Sequence, residues 1–439
     1  MLPGTNEYLR REYGIKDSII NASDEIENLI RPVFRKICEI REYNQIKVLS
    51  AFRKYGLSES HFAGTTGYGY GDRGRDLLDS VFAEVFGAED AIVRTQIVSG
   101  THALSLCLFG NLMPGDTLVS ATAKPYDTLC EVIGLTGDSR VSLLRYGIRY
   151  RQVSLAEDGS IDMCALGNVI ASARGRVMVL IQKSRGYSTR RALSVKDIAE
   201  TSAYIRKIRN DEDLIIFVDN CYGEFTETEE PTCAGADLIA GSLIKNPGGG
   251  LAPAGGYIAG KKYLVDNAAE RLVAPGLGKK TGPSLGNNRL LFQGLFMAPH
   301  AVAESLMGAV YCSAIMQWAG YTCSPGIFDE RPDIIQSVEM GNSESLLEFC
   351  KGIQSGSPVD SHVTPVPWDM PGYDCPVIMA AGGFVQGASL ELSADAPVAE
   401  PYTVFVQGGL VYENVKVAVM KAMSMLTEKG YIDENGKKC

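Results

Sequence analysis

Histidine is scarce in this 439-residue chain, and cysteine is never paired at close range. The four histidines (His61, His102, His300, His362) are scattered, and none of the 11 cysteines forms a Cys-x-x-Cys. That spacing excludes the common zinc frameworks, and an odd cysteine count at irregular intervals argues against a disulfide scaffold. Free, mostly buried thiols in a reducing cytosol are expected instead. Long apolar runs are missing too. Nothing approaches the roughly 18 apolar residues of a membrane span, and Met1-Leu-Pro-Gly-Thr-Asn-Glu-Tyr-Leu-Arg-Arg lacks the apolar centre of a secretory signal. The 42 basic residues are outnumbered by 52 acids, for a net charge of -10. A nucleic-acid binder would show a basic face, and none is present. No Gly-Lys-Ser/Thr occurs, and no Gly-x-Gly-x-x-Gly opens a helix after a strand, so the usual nucleotide loops are absent. A cytoplasmic protein with no metal, membrane or nucleic-acid partner is the expectation.

With 45% hydrophobic and 21% charged residues the composition is globular, and the length exceeds one ordinary core. Residues 18–50 carry apolar positions at helical spacing (Ile26, Leu29, Ile30, Val33, Ile37, Ile40), with Pro32 as a possible kink. A Gly-rich loop, Gly64-Thr-Thr-Gly-Tyr-Gly-Tyr-Gly-Asp-Arg-Gly-Arg75, follows. From residue 76 strand-like and helix-like segments alternate. Strands are expected at 91–98, 117–121, 151–155, 177–182, 214–219 and 256–260. Alternation of this kind predicts an α/β fold with a mostly parallel sheet between helices. A long helix over 290–319, interrupted at Pro299, leads to strand-like pieces at 334–338, 376–379, 389–392 and 404–407 and a final helix over 414–428. The expected domains are an N-terminal helical arm and interface loop (1–75), a large domain (76–290) and a smaller α+β domain (291–439).

Lys245 is the residue around which chemistry gathers. It follows Gly235-Ala-Asp-Leu-Ile-Ala-Gly-Ser-Leu-Ile and precedes a Gly-rich stretch to Gly256, while upstream an apolar strand ends in an acid, Asp219. A lysine able to form a Schiff base and an acid able to hold a pyridine nitrogen protonated are what pyridoxal 5'-phosphate (PLP) chemistry requires. Apolar flanks predict a lowered pKa for Lys245, since burial disfavours charge. Ser99-Gly100-Thr101 opens a helix at a strand's carboxyl end, where backbone N–H groups and the dipole favour a phosphate; Ser or Thr there is equally an ordinary helix cap. Ser242 is a second phosphate candidate. Tyr126 follows a strand end and could stack on a flat ring, or be one more half-buried tyrosine. Asp219 could cap its own strand.

The order phosphate loop, aromatic, Asp, Ser-x-x-Lys resembles fold-type I PLP enzymes of the cystathionine lyase and methionine γ-lyase group. Arg94-Thr-Gln-Ile-Val-Ser-Gly-Thr-His-Ala103, Val218-Asp-Asn-Cys-Tyr-Gly-Glu-Phe225 and Ser242-Leu-Ile-Lys-Asn-Pro-Gly-Gly-Gly250 look more closely like its aluminium-resistance branch of carbon–sulfur lyases. Gly67-Tyr-Gly-Tyr-Gly-Asp72, Glu391-Leu-Ser-Ala-Asp395 and Tyr402-Thr-Val-Phe-Val-Gln-Gly-Gly409 look like it too, so the resemblance spans nearly the whole chain.

The resemblance implies a large PLP-binding domain. Lys245 would carry the cofactor, Asp219 bind its ring nitrogen and Tyr126 stack on the ring. Ser99, Gly100, Thr101 and Ser242 would hold the phosphate. Tyr68 or Tyr70, with Arg73 or Arg75, would complete that site from a neighbouring subunit, implying a homodimer or homotetramer with active sites at the interface. The chain departs from transsulfuration enzymes in having Ile244, not Thr, before the lysine. Arg331 is the candidate for the substrate carboxylate by elimination, with Arg185, Ser184 and Gln182 as alternatives. The activity implied is β- or γ-elimination from a sulfur-containing amino acid. Another PLP reaction (aminotransfer or aldol cleavage) and a non-catalytic PLP-binding protein remain alternatives.

Overall fold

The apolar runs Val177–Gln182 and Leu214–Asp219 pair in parallel at the centre of a seven-stranded sheet. Both are buried along nearly their whole length, as strands covered on both faces must be. The computed structural model describes residues 3–370 and 375–439; Met1, Leu2 and residues 371–374 lie outside it. The strands are β1 (Asp90–Arg94), β2 (Thr117–Ser120), β3 (Arg149–Gln152), β4 (Val177–Gln182), β5 (Leu214–Asp219), β6 (Leu238–Ser242) and β7 (Gly256–Gly260). Their spatial order is β1-β7-β6-β5-β4-β2-β3. The run from β3 to β6 is parallel, and β7 runs antiparallel to both β6 and β1. The expected α/β class with a mostly parallel sheet is what forms.

Contacts divide the chain into two units, Tyr43–Ala298 and Met1–Glu42 with Pro299–Cys439. In the first, the helices Gly100–Asn111 and Lys262–Leu272 bury Leu104, Leu108, Leu264 and Ala268 in one core with Ile215, Phe217 and Ile258. Local signals start the helices: Ser99, Asp162 and Ser194 cap Gly100–Asn111, Met163–Ser172 and Val195–Ile208. The helix Arg73–Val85 is fastened to β1 by a buried bidentate pair, Arg94 Nη1 and Nη2 donating to Asp79 Oδ1 and Oδ2 at 2.6 and 2.9 Å. Asp79 Oδ1 also accepts from the Val93 N–H at 2.8 Å.

The second unit holds an antiparallel sheet of β8 (Thr322–Ser324), β9 (Ile335–Glu339), β10 (Val377–Ala381), β11 (Ser393–Pro397) and β12 (Thr403–Gln407), in the order β10-β11-β12-β9-β8. Its helices Ser343–Ser355 and Tyr412–Glu428 pack backbone to backbone. A Cβ at Gly352 would lie 2.2 Å from Ala422 Cα, so only glycine fits there.

Three local expectations change. Pro32 and Pro299 do not end their helices, which run unbroken over Asp17–Lys54 and Asn288–Ala319. Buried faces such as Ile19, Ile26, Ile30 and Ile37 outweigh one missing N–H. Residues 389–392 are not a strand; the alternation of Leu390 and Leu392 mimics one. Glu391 instead accepts from Phe384 N and Val385 N at 2.5 and 2.9 Å, tying off a turn before β11 begins at Ser393. No helix among the described residues is long and apolar enough to cross a membrane.

Candidate active site

Parallel pairing sets Gln182 of β4 beside Asp219 of β5, and Asp219 beside Ala240 of β6, so these strands end on one edge of the sheet. Asp219 closes β5 as a buried acid and accepts from the Cys221 N–H at 3.2 Å. Ser242 closes β6, also buried, and Lys245 follows in a turn. The N-terminus of the helix Gly100–Asn111 meets this edge. A Cβ added to Gly100 would lie 3.3 Å from Cys221 Sγ and 3.5 Å from Ser242 Cβ, so the glycine keeps open a small cradle beside Ser242. Ser99 Oγ accepts from the His102 N–H at 3.1 Å and is thus engaged as the helix cap. Tyr126 Oη donates to Thr101 Oγ1 at 3.0 Å, which lies 3.0 Å from Thr128 Oγ1.

These groups feel one another's charge. Burial pushes the Tyr126 phenol up, and Asp219 pushes it further. Burial likewise raises the Asp219 carboxyl, with Lys245 pulling the other way. For Lys245 the sequence expectation is reversed. Burial acts to lower its pKa, but Cys221, Tyr222, Asp219 and Tyr126 outweigh it and hold the side chain as an ammonium above the ordinary lysine range. The apolar flanks and Asp219 were visible in the sequence; that the fold sets Cys221 and Tyr222 around the amine as well was not.

Sequence reasoning also passed over the turn after β5. Lys245 Nζ sits 3.8 Å from the centroid of the Tyr222 ring. Tyr222 and Phe225 both have left-handed backbones, φ 69° and 62°, a conformation that costs a large side chain energy and gathers at functional sites. The turn is braced from beneath. The fully buried Lys183 donates to Gly223 O at 3.0 Å and pairs with Glu227 at 3.0 Å. Burial raises Glu224 to about 8, and Tyr257 Oη donates to it at 2.8 Å. Asn246, next to Lys245, donates to Glu224 O at 2.9 Å. The one sequence signal was the run Val218 to Phe225 itself, whose Tyr-Gly-Glu carries no recognisable spacing.

The Gly-rich loop is built on Asp72, 1% exposed. Its carboxylate accepts from Thr65 Oγ1 (2.5 Å), Ser284 Oγ (2.5 Å), Asn288 Nδ2 (3.1 Å) and Arg75 N (2.9 Å). Burial alone would raise its pKa, but these four donors bring it down to about 2. A depressed carboxylate stabilises the fold above its unfolded value near 4, and that contribution is lost as pH falls toward 2. Asp72→Asn, which keeps a capping side chain, should therefore lower the melting temperature at pH 7. The gap to wild type should narrow below pH 4; a gap constant with pH would show that charge is not what Asp72 supplies. Tyr68 and Tyr70 stack on each other at 5.6 Å and stay 74% and 62% exposed. Arg73 is exposed as well, whereas Arg75 is buried and donates to Gly69 O and Gly282 O within its own unit.

Arg185 is buried near the end of β4. Beside it Arg190 donates to Gln182 O at 2.8 Å and to Ser184 O. Arg331 belongs to the other unit, where its guanidinium donates to Gln336 Oε1 at 2.8 Å and to Gly326 O at 3.0 Å. No cluster of three metal-ligating side chains exists among the described residues.

The family described as methionine gamma-lyase matches residues 19–427. This chain belongs to that family. A relative called "Uncharacterized protein YnbB" from Bacillus subtilis (strain 168) is 48% identical over 410 residues, 93% of this chain and 96% of that one. Among solved structures, a carbon-sulfur lyase involved in aluminum resistance from Clostridium novyi NT is 48% identical, with a TM-score of 0.92 over 97% of this chain and 99% of that one. The pyridoxal-5'-phosphate dependent protein YhfS from Escherichia coli, at 16% identity and TM-score 0.59, shares the fold alone. The methionine gamma-lyase family member thus has the fold-type I architecture its motifs resemble. Its site fits PLP: a cradle at a helix N-terminus, a buried acid at a strand end, an aromatic side chain and an amine within one electrostatic cluster.

Proposed function

We propose that the chain is a PLP-dependent carbon–sulfur lyase that cleaves a sulfur-containing amino acid by β- or γ-elimination. The supporting observation is the convergence of Gly100, Asp219, Ser242 and Lys245 on one edge of the sheet, in a chain so similar to a carbon-sulfur lyase from Clostridium novyi NT. In this reading Gly100, Thr101 and Ser242 hold the phosphate, with Ser99 fixing the helix start. Asp219 holds the pyridine nitrogen, and Tyr126 lies on the ring face. When bound, PLP supplies an electron sink for the pair left at Cα.

The chain's own residues do the rest. Lys245 Nζ, delivered neutral, takes the Cα proton, and the cluster that favours its ammonium makes it a stronger base. Asp219, buried and fixed by the Cys221 N–H, needs no reorganisation to keep its place. Arg185 or Arg331 would receive the substrate carboxylate. The exposed pair Tyr68 and Tyr70, with Arg73, would serve the phosphate site of a second copy, so the active form would be a homodimer or a homotetramer.

Two measurements test this. The protein incubated with PLP should absorb in the visible, and borohydride should bleach the band. Cystathionine and methionine should be screened for release of thiol, keto acid and ammonia together, and cystine for release of a persulfide with keto acid and ammonia. Keto acid without ammonia would sink the lyase reading and leave an aminotransferase; a colourless protein would sink the cofactor.

A further inference from the structure

We propose that Tyr222 is a positioning residue that holds the Lys245 side chain as an ammonium against its ring face. This rests on the reading of Lys245 as the base given above. The amine lies 3.8 Å from the ring centroid, well inside the range at which a cation is drawn to an aromatic face. The ring does not arrive there by default. Tyr222 has φ 69°, a left-handed conformation rare for a bulky residue, which persists only where the surroundings enforce it. Here they do so on both sides. Before Tyr222, Asn220 Nδ2 donates to Glu230 Oε2 at 3.0 Å, and the Cys221 N–H donates to Asp219. After it, the Gly223 N–H donates to Asn220 O at 2.9 Å, and the Phe225 N–H donates to Glu230 Oε1 at 3.0 Å. A Cβ at Gly223 would lie 2.5 Å from Lys183 Cδ, so the turn closes tightly on a buried lysine.

The titratable groups around Lys245 include Cys221, Tyr222, Asp219, Tyr126 and Glu224, and Arg190 acts on Asp219. In the proposed complex Asp219 and Tyr126 are occupied by the pyridine nitrogen and the ring face. Burial raises Cys221 and Glu224 as well. Of the groups around Nζ, Tyr222 presents an aromatic face to it, 3.8 Å from the ring centroid. Its aromatic face steadies the cation without offering a carboxylate that would take the proton away.

The cofactor-free, full-length chain gives a readout independent of turnover. Only a neutral amine reacts with trinitrobenzenesulfonate, so the pH dependence of labelling at the Lys245 peptide, followed by mass spectrometry, reports its ionisation. Removing the ring should release the ammonium. Tyr222→Asn, a residue that tolerates positive φ, should label about tenfold faster than wild type at pH 8, with the profile moved to lower pH. Tyr222→Gly, which also accepts the turn, should do the same. Tyr222→Phe should keep the wild-type profile. With PLP bound, the Asn variant should lose kcat with little change in KM, and Phe should restore it. Wild-type labelling in both ring-less variants would overturn the proposal, as would a Phe variant that behaves like Asn, since the hydroxyl and not the ring would then be responsible. Should the wild type never bind PLP, the lyase reading fails while the labelling still decides whether Tyr222 holds Lys245.

Discussion

Lys245→Ala is expected to remove the visible band formed with PLP and to lower turnover by at least about 10²- to 10⁴-fold, the usual contribution of a positioned base. The loss should be larger in kcat than in KM, because Gly100, Thr101 and Ser242, which would hold the phosphate, are untouched. Added methylamine can enter the space left by the butylamine arm, so partial rescue that rises with pH would identify the missing function as a base. Turnover within threefold of wild type would mean that another group takes the Cα proton, and the site would have to be redrawn around it. Because the variant also deprives the buried Asp219 of its counter-charge, its melting temperature at pH 7 should fall as well. The ammonium of Lys245 itself contacts the ring of Tyr222.

The second large effect concerns stability. Asp79→Ala should cost about 3–5 kcal/mol, because it strands the guanidinium of Arg94 in a place where only 3% of that residue reaches solvent. It also deprives the Val93 N–H of its acceptor. Denaturant midpoints of wild type and variant, at matched slopes, give the number. Asp79→Leu combined with Arg94→Met should recover part of the loss, since an apolar pair of similar volume avoids the buried charge. A cost below about 1 kcal/mol for Asp79→Ala would mean that Arg94 finds water or a new partner once released.

Much of this site could be read before any coordinates. Asp219 and Ser242 were legible because each ends an uninterrupted apolar run, and in a parallel sheet the carboxyl ends of such runs share an edge. Gly100 was legible as a small residue opening a helix, though only the structure shows that it faces Ser242. What stayed hidden depends on residues distant in sequence. Nothing near Asp72 announces that Ser284 and Asn288 complete its set of donors. The charge state of Lys245 was misjudged for the same reason, its flanks being apolar and its electrostatic partners being Cys221, Tyr222, Asp219 and Tyr126. Tyr222 was missed because its placement follows from a backbone angle, and a tyrosine in a left-handed turn has no sequence pattern of its own. The strand expected at 389–392 failed where a period-two alternation of apolar residues belongs to a turn held by one carboxylate.

The position of β7 has a consequence for the chain as it is made. β1 lies at the edge of its sheet and, among the described residues, has β7 as its sole strand neighbour there. Asp90 pairs with Gly260, and Arg94 with Gly256. At ordinary synthesis rates the ribosome needs roughly 10–30 s to add the intervening stretch. For that time Ala91, Ile92 and Val93 leave the tunnel with no strand to receive them, while β2 to β6 can already pair in parallel. An apolar strand waiting without its neighbour invites pairing with other chains. Nascent polypeptides halted before residue 256 should therefore be far more prone to aggregate, and more dependent on chaperones, than those halted after residue 260.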